Sequence, residues 1–494
     1  MTRTASVIPA RAGAERPAHR DGNVLRWLAA YTASMIGDNV YYLALSWAAV
    51  RAGSPAQTGL VMTVSAVPRA LLMLGGGVIA DRLGPRRVVI GSDAVRCAAV
   101  LAVAVLLSTT DPGLWPLAVL AVVFGTVDAV FMPAVGALPA RVTGRGQLAR
   151  VQGMRGLAVR LASVVGGPLG ALGVALGGAA AAFGLAALLI AVSVPLLVSV
   201  RMRALPGDRA KSAGMREATA DGGAGEAAEP QRTSSVDRSA TVGSATVGSA
   251  TAGSADAGSA TVGSADAGSA DAGSADAGSG DPSGEPAEYR GATAWRDLVD
   301  GLRYVRGHRV LAPLMLAISL GDLGFVGPLN VGLALLADER GWGASGMGWT
   351  LAGFGAGAGA ASLLLALRGR LPHAGQVAAY AILAGSAAIG YLAHAPGVPA
   401  AVGAAVLVGL LAGLSGALCG ALLQTQSDPA YLGRVTALAS LVSLGLAPLS
   451  MPLSAAAIGV WGTAPVFLVS AAVCGLGGVV ILCFGHLRRA ELPR

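Results

Sequence analysis

With 494 residues, 54% of them hydrophobic and 13% charged, and a mean hydropathy of +0.64, the chain is too apolar for a soluble globular protein of its size. The formal charge of +8 does not point to nucleic acid, because the Arg residues lie in short loops and tails rather than on one face. The four cysteines (Cys97, Cys419, Cys474, Cys483) sit inside apolar runs without metal-ligand spacing, so no metal site, disulfide framework or cofactor is expected.

Residues 1–26 form a tail bearing Arg3, Arg11, Arg16, Arg20 and Arg26, with no short apolar stretch ending in a cleavage site, so the first apolar run is expected to stay as a transmembrane helix. Runs of about 20 apolar residues are long enough to cross a hydrocarbon core, where a helix satisfies its own backbone groups. Such runs predict spans 1 to 6 at 27–50, 58–80, 88–108, 114–138, 152–176 and 178–200. Residues 201–294 are polar, and pentapeptides of the type Ser-Ala-Thr/Asp-Val/Ala-Gly repeat over 239–278. Each pentad holds a Gly and small side chains, too little apolar surface to offset the entropy of ordering, so a disordered linker is expected there.

Residues 295–309 read as an amphipathic interfacial helix, with Leu298, Leu302 and Val305 on one face and Arg296, Arg303 and Arg306 elsewhere. Spans 7 to 12 follow at 310–336, 344–367, 375–394, 398–423, 435–459 and 463–485, and a tail at 486–494. The expected fold class is an all-α polytopic membrane protein, with twelve transmembrane helices in two pseudo-symmetric six-helix bundles over 27–200 and 310–485.

Short cytoplasmic loops should carry the Arg excess. Arg82, Arg86 and Arg87 follow span 2, Arg141, Arg145 and Arg150 follow span 4, Arg201 and Arg203 follow span 6, Arg368 and Arg370 follow span 8, and Arg488 and Arg489 follow span 12. The opposite loops hold little beyond Arg51, Asp111 and the Asp338, Glu339, Arg340 group. Both termini are therefore expected in the cytoplasm, in an inner (plasma) membrane. The halves also echo each other: Ser34-Met35-Ile36-Gly37-Asp38 in span 1 is similar to Ser319-Leu320-Gly321-Asp322 in span 7. Repeated halves of this kind put a substrate site between them near the midplane.

Gly77-Val78-Ile79-Ala80-Asp81-Arg82-Leu83-Gly84-Pro85-Arg86-Arg87, between spans 2 and 3, resembles the loop signature of the major facilitator superfamily at every defined position. The resemblance implies the major facilitator fold, a conformational latch made by Gly77, Asp81, Arg82, Gly84, Arg86 and Arg87 against the start of span 11, and spans 1, 4, 7 and 10 lining the cavity. An acid flanked by cations suits such a latch, since it can sit at a helix N-terminus while the Arg residues hold carboxylates or lipid phosphates.

Within the superfamily, Gly37-Asp38, Asp93-Ala94-Val95-Arg96, Phe131-Met132-Pro133-Ala134 with Leu138-Pro139, and Gly433-Arg434-Val435 look like the drug and siderophore exporters, macrolide efflux and enterobactin exporters among them. Gly167, Pro168 and Gly170 in span 5 resemble part of an antiporter motif, with its last glycine displaced. Span 4 departs from the proton-coupled drug exporters, whose Arg-x-x-Gln-Gly is replaced by Phe124-Gly125-Thr126-Val127-Asp128.

An ionisable side chain at bilayer depth costs at least about 2.5 kcal/mol on insertion scales and by default marks an inward-facing or functional position. Asp38, Asn39 and Tyr42 in span 1 and Asp322 and Asn330 in span 7 are the candidate substrate or proton-coupling residues. For Asp38 the alternative is an acid that only holds neighbouring helices, and for Asp322 a helix kink among Gly321, Gly324 and Gly327. Asp128 is expected to partner the latch near Arg86 and Arg87. Asp93 and Arg96, three apart, are expected to pair with each other, and Arg69 and Arg160 to meet either an anionic substrate or these acids. Gly353, Gly355, Gly357 and Gly359 in span 8 suit close helix packing.

The five His residues are scattered and no nucleophile and base share a short segment, so an enzyme is not expected. The expected function is secondary active transport: proton-coupled efflux of a small organic molecule by a monomer in contact with membrane lipid. Uptake by the same fold, or a non-transporting membrane sensor, are the alternatives.

Overall fold

The computed structural model describes residues 20–110, 113–144, 147–202, 299–368, 373–428 and 431–491. The repeats at 239–278, the rest of the central linker and residues 295–298 lie outside the described residues. Six helices come first: α1 (Gly22–Ala52), α2 (Pro55–Leu83), α3 (Pro85–Thr109), α4 (Trp115–Val142), and a run Leu148–Ser199 that turns back at Gly177 and Gly178 into α5 before the turn and α6 after it. Beyond the linker a short helix over 299–307 leads into α7 (Leu311–Glu339), α8 (Gly343–Arg368), α9 (Ala374–Leu392), α10 (Val398–Gln426), α11 (Leu432–Trp461) and α12 (Thr463–Cys483). These twelve helices match the twelve predicted spans, and most are long and apolar enough to cross a membrane.

Local chemistry explains the boundaries. Helix α1 starts five residues earlier than expected, at Gly22, because the Asp21 carboxylate accepts the Asn23 N–H at 2.9 Å and caps it. Between α2 and α3, Gly84 takes φ 87°, open to glycine at little cost, and Pro85 starts α3 with its fixed φ and no wasted N–H. Pro328 interrupts α7, which relaxes into a π-helical turn over Pro328–Gly332 before resuming.

The packing repeats from half to half. Helix α1 packs on α5 and α6, α2 on α4, and α3 on α4 and α6; α7 packs on α11 and α12, α8 on α10, and α9 on α10 and α12. The halves join through α5 with α8 and α2 with α11. Both seams are close approaches. A Cβ added at Gly167 of α5 would stand 2.5 Å from the Gly348 carbonyl of α8, and one at Gly59 of α2 would stand 2.2 Å from the Ala455 Cβ of α11. In α8, Gly353 and Gly357 face Val402 and Val406 of α10, while Gly355 faces Ser163 of α5, so the glycine run lets one helix touch two neighbours.

The buried apolar residues divide unevenly along the helix axes. One cluster unites the halves, with Val40 to Val50 of α1, Met451 and Ala455 of α11, and Phe325 to Ala337 of α7. At the opposite end, which carries the linker, each half keeps its own cluster: Trp27, Phe131 and Val142 in the first, Leu314, Leu422 and Leu487 in the second. The apolar cores of the two bundles thus merge at the end remote from the linker and stay separate toward the linker end, with Asp38 and Asp322 near the boundary between the two regions.

The short helix after the linker packs one side on the second bundle. Val305 is buried in the second bundle while Leu302 is exposed, and Tyr304 stacks on Tyr431, ring centroids 4.4 Å apart, at the entry to α11. The Tyr304 hydroxyl accepts the Asp428 N–H at 3.1 Å.

Candidate functional site

The first bundle encloses a buried ionic cluster centred on Arg96 of α3. Its guanidinium is fully buried and pairs with Asp38 of α1 at 2.7 Å, with Asp128 of α4 at 3.3 Å, and with Asp93 one turn back on its own helix. The ring of Phe131 lies 3.9 Å from the guanidinium carbon, a cation–π contact that supports a charge desolvated on that side. Asp93 also accepts from Ser34 of α1 at 3.1 Å and from Ser193 of α6, so one carboxylate ties three helices together. Asp128 takes a hydrogen bond from the Tyr42 hydroxyl at 3.3 Å and faces Arg69 of α2 at 4.0 Å.

These groups carry three carboxylates against two guanidiniums. Removing charges from water costs several kcal/mol per ion even after relaxation, which pairing offsets only when the geometry and hydrogen bonds are good. Asp93 has such a set. Asp38 does not: its Oδ1 is buried with no hydrogen-bond partner. The cluster therefore counts one more carboxylate than guanidinium, and among its carboxylate oxygens Asp38 Oδ1 is the one buried without a hydrogen-bond partner.

The second bundle is built differently. Asp322 of α7 accepts from Ser443 of α11 at 2.5 Å and is half-buried, and no cation among the described residues pairs with it. Asn330 is buried in the π-helical turn, its amide donating to the Val326 carbonyl at 2.8 Å within its own helix, and Asn39 does likewise with Met35 at 2.8 Å. Both amides donate within their own helices, and the Asn39 side chain lies against Gly166 of α5.

The structure thus brings Asp38, Tyr42 and Asp128 together around Arg96 and keeps Asp322 apart. Asp128 corrects the sequence expectation, since it lies near the middle of α4 and contacts Arg96, Arg69 and Tyr42 rather than the Arg86 and Arg87 region. Arg86 instead donates to the Val198 carbonyl at 2.5 Å, closing the C-terminal end of α6, where helix carbonyls lack intrahelical partners. Arg82 and Arg87 are exposed beside the Gly84 corner, and the Asp81 side chain and the surroundings of Gly77 lie outside the described residues. Gly167, Pro168 and Gly170 lie on α5 where it crosses α8 and α1: Gly167 abuts Gly348 and Gly170 abuts Leu43.

Sequence reading saw Asp93 and Arg96 only as a local pair. The signal that could have marked Arg96 as a hub was its place mid-span, where an arginine with a single partner would be costly. The serines Ser34 and Ser193 carried no such signal.

A family model described as Major Facilitator Superfamily matches residues 27–447. No curated protein matches the chain significantly in sequence. Among solved structures, the chain is similar to the nucleoside transporter NupG (11% identity, TM-score 0.59, covering 95% of this chain and 100% of that one). It is also similar to a peptide transporter POT in complex with sulfate (13%, 0.60, 98% and 98%) and to a D-xylose-proton symporter (13%, 0.55, 95% and 96%). At these identities the likeness is one of fold.

Proposed function

The chain belongs to the Major Facilitator Superfamily, and within that family of secondary transporters we propose that it exports a small organic molecule in exchange for protons. The observation that carries the reading is the Arg96 cluster, with its surplus carboxylate and the buried, unpartnered Oδ1 of Asp38. One proton on Asp38 balances the cluster's charge, and losing it restores the attraction to Arg96, so protonation can change how tightly α1 is held to α3 and α4. Alternating access then amounts to exchanging the apolar seam at one end of the bundles for one at the other.

Export, a plasma-membrane location and a cytoplasmic linker end rest on sequence support. The Arg excess gathers at the linker end, as for cytoplasmic loops. Gly37-Asp38 and Asp93 to Arg96 resemble the drug and siderophore exporters, and Gly167, Pro168 and Gly170 resemble part of an antiporter motif. Proton-coupled uptake is the second reading, favoured by the likeness to a D-xylose-proton symporter.

Transport of candidate compounds in everted and right-side-out vesicles tests both readings. Export predicts accumulation in everted vesicles energised with an acid interior, and loss of that accumulation when the pH gradient is collapsed. Accumulation that survives collapse of the gradient sinks proton coupling; accumulation confined to right-side-out vesicles replaces export with uptake.

A further inference from the structure

The two halves answer the same physical problem in opposite ways. Asp38 and Asp322 occupy matching places, each at the end of a Ser-to-Gly-Asp run and each just before the residues where the shared apolar cluster begins, Val40 and Phe325. Asp38 is 3% exposed and has Arg96. Asp322 has no counter-ion among the described residues. Its surroundings are the Ser443 hydroxyl of α11, and Cys419 of α10 and Cys474 of α12 close enough for electrostatic interaction.

Among the described residues, the rest of the second bundle supplies no cation at that depth. Helices α9, α10 and α12 contain no Asp, Glu, Lys or Arg, Arg368 ends α8 and Arg434 begins α11 at the linker end, and Asp338 and Glu339 lie at the far end of α7. Asp322 is half-buried where Asp38 is buried, and a Cβ added at the adjacent Gly321 would meet nothing within 4 Å. A carboxylate in such a site is stabilised by a positive charge brought to it.

We infer that Asp322, with Ser443 as its hydrogen-bonding partner, is the counter-ion of a positively charged substrate, so that the transported compound is a lipophilic organic cation such as an amine or onium ion. The inference rests on the transporter reading but not on its direction or its coupling ion. Asp322 supplies the charge, Ser443 orients one carboxylate oxygen, and the other oxygen meets the ligand's cationic centre.

Equilibrium binding to the purified full-length protein in nanodiscs at fixed pH, without a gradient, tests it with two ions of nearly one shape and opposite charge, tetraphenylphosphonium and tetraphenylborate. The expected result is saturable binding of the phosphonium alone, weakened at least ten-fold by Asp322→Asn, retained within a few-fold by Asp322→Glu, and weakened a few-fold by Ser443→Ala. Equal binding of the borate, unchanged phosphonium affinity in Asp322→Asn, or no phosphonium binding up to millimolar concentration would overturn it. Should Asp322→Asn fail to fold, the Asp322→Glu and Ser443→Ala pair carries the test: loss in the first with no change in the second also overturns it. Because no pH gradient enters the measurement, proton-coupled export can fail in vesicles while cation binding stands, and the reverse.

Discussion

Arg96 of α3 and Asp38 of α1 meet at 2.7 Å inside the first bundle, and the arginine that holds Asp38 is the same one that holds Asp93 and Asp128. A single side chain therefore sets the charge balance of three helices. Arg96→Leu leaves buried carboxylates without their counter-charge, and breaking a buried pair in this way costs about 3 to 5 kcal/mol. The variant is expected to lose most of its folded yield and to melt well below the parent in detergent, read by size-exclusion profile and thermal unfolding. A melt within a degree or two of the parent would show that the cluster does not hold the bundle.

Asp38→Asn removes one carboxylate from a group that has one too many, so its effect on folding should be small, within about 1 kcal/mol by the usual scale for a mild substitution. Its effect on coupling should be large. The amide stands in for the protonated acid throughout the cycle, so accumulation driven by a pH gradient should vanish while downhill exchange continues. A variant that concentrates substrate with the parent's pH profile removes Asp38 from the mechanism.

Gly167 and Gly348 face each other across the α5–α8 seam, and a Cβ on either would stand 2.5 Å from the opposite backbone carbonyl. Gly348→Val should push the seam apart at an overpacking cost of about 1 to 3 kcal/mol, borne only by the conformation closed at the end remote from the linker. Spin labels at Arg87 and Arg368, exposed on opposite halves at the linker end, should then report a shorter mean distance as the population moves toward closure there. No change in the distance distribution would mean that the seam tolerates the side chain.

The Tyr304–Tyr431 stack, at 4.4 Å with rings 3° from parallel, anchors the chain as it leaves the linker. Tyr304→Ala should cost the stack and the Asp428 N–H acceptor, roughly 1 to 3 kcal/mol together, read as a lower melting temperature. Deleting Ser239 to Gly278 should leave folding and transport nearly intact, because residues 201–238 and 279–294 still give the chain enough length to join the halves. Loss of transport by the deletion with normal membrane insertion would assign the repeats a role beyond tethering.

The Arg51–Asp338 pair joins the halves at 3.7 Å, but its side chains are 69% and 40% exposed. Exposed pairs are worth about 0 to 1 kcal/mol. Asp338→Asn should leave transport rates within about two-fold of the parent, and a larger drop would identify the pair as part of the closure.

Helix number and the two-fold repeat were legible in the residues, because bilayer thickness and backbone satisfaction force a run of about 20 apolar residues for each crossing. The corner at Gly84-Pro85 and the turn at Gly177-Gly178 were legible for the same local reason: special backbone angles need special residues. Asp38 and Asp322 could be marked as costly, since that follows from depth alone. What surrounds each could not. Arg96 stands 58 residues from Asp38 in the chain, and only the crossing of α1, α3 and α4 makes it a shared counter-ion. The same folding gathers Asp128 into that cluster and leaves Asp322 with a serine. Charge compensation at bilayer depth is a short-range property of packed side chains, and helix packing, not sequence position, decides which acid is paired and which stays open.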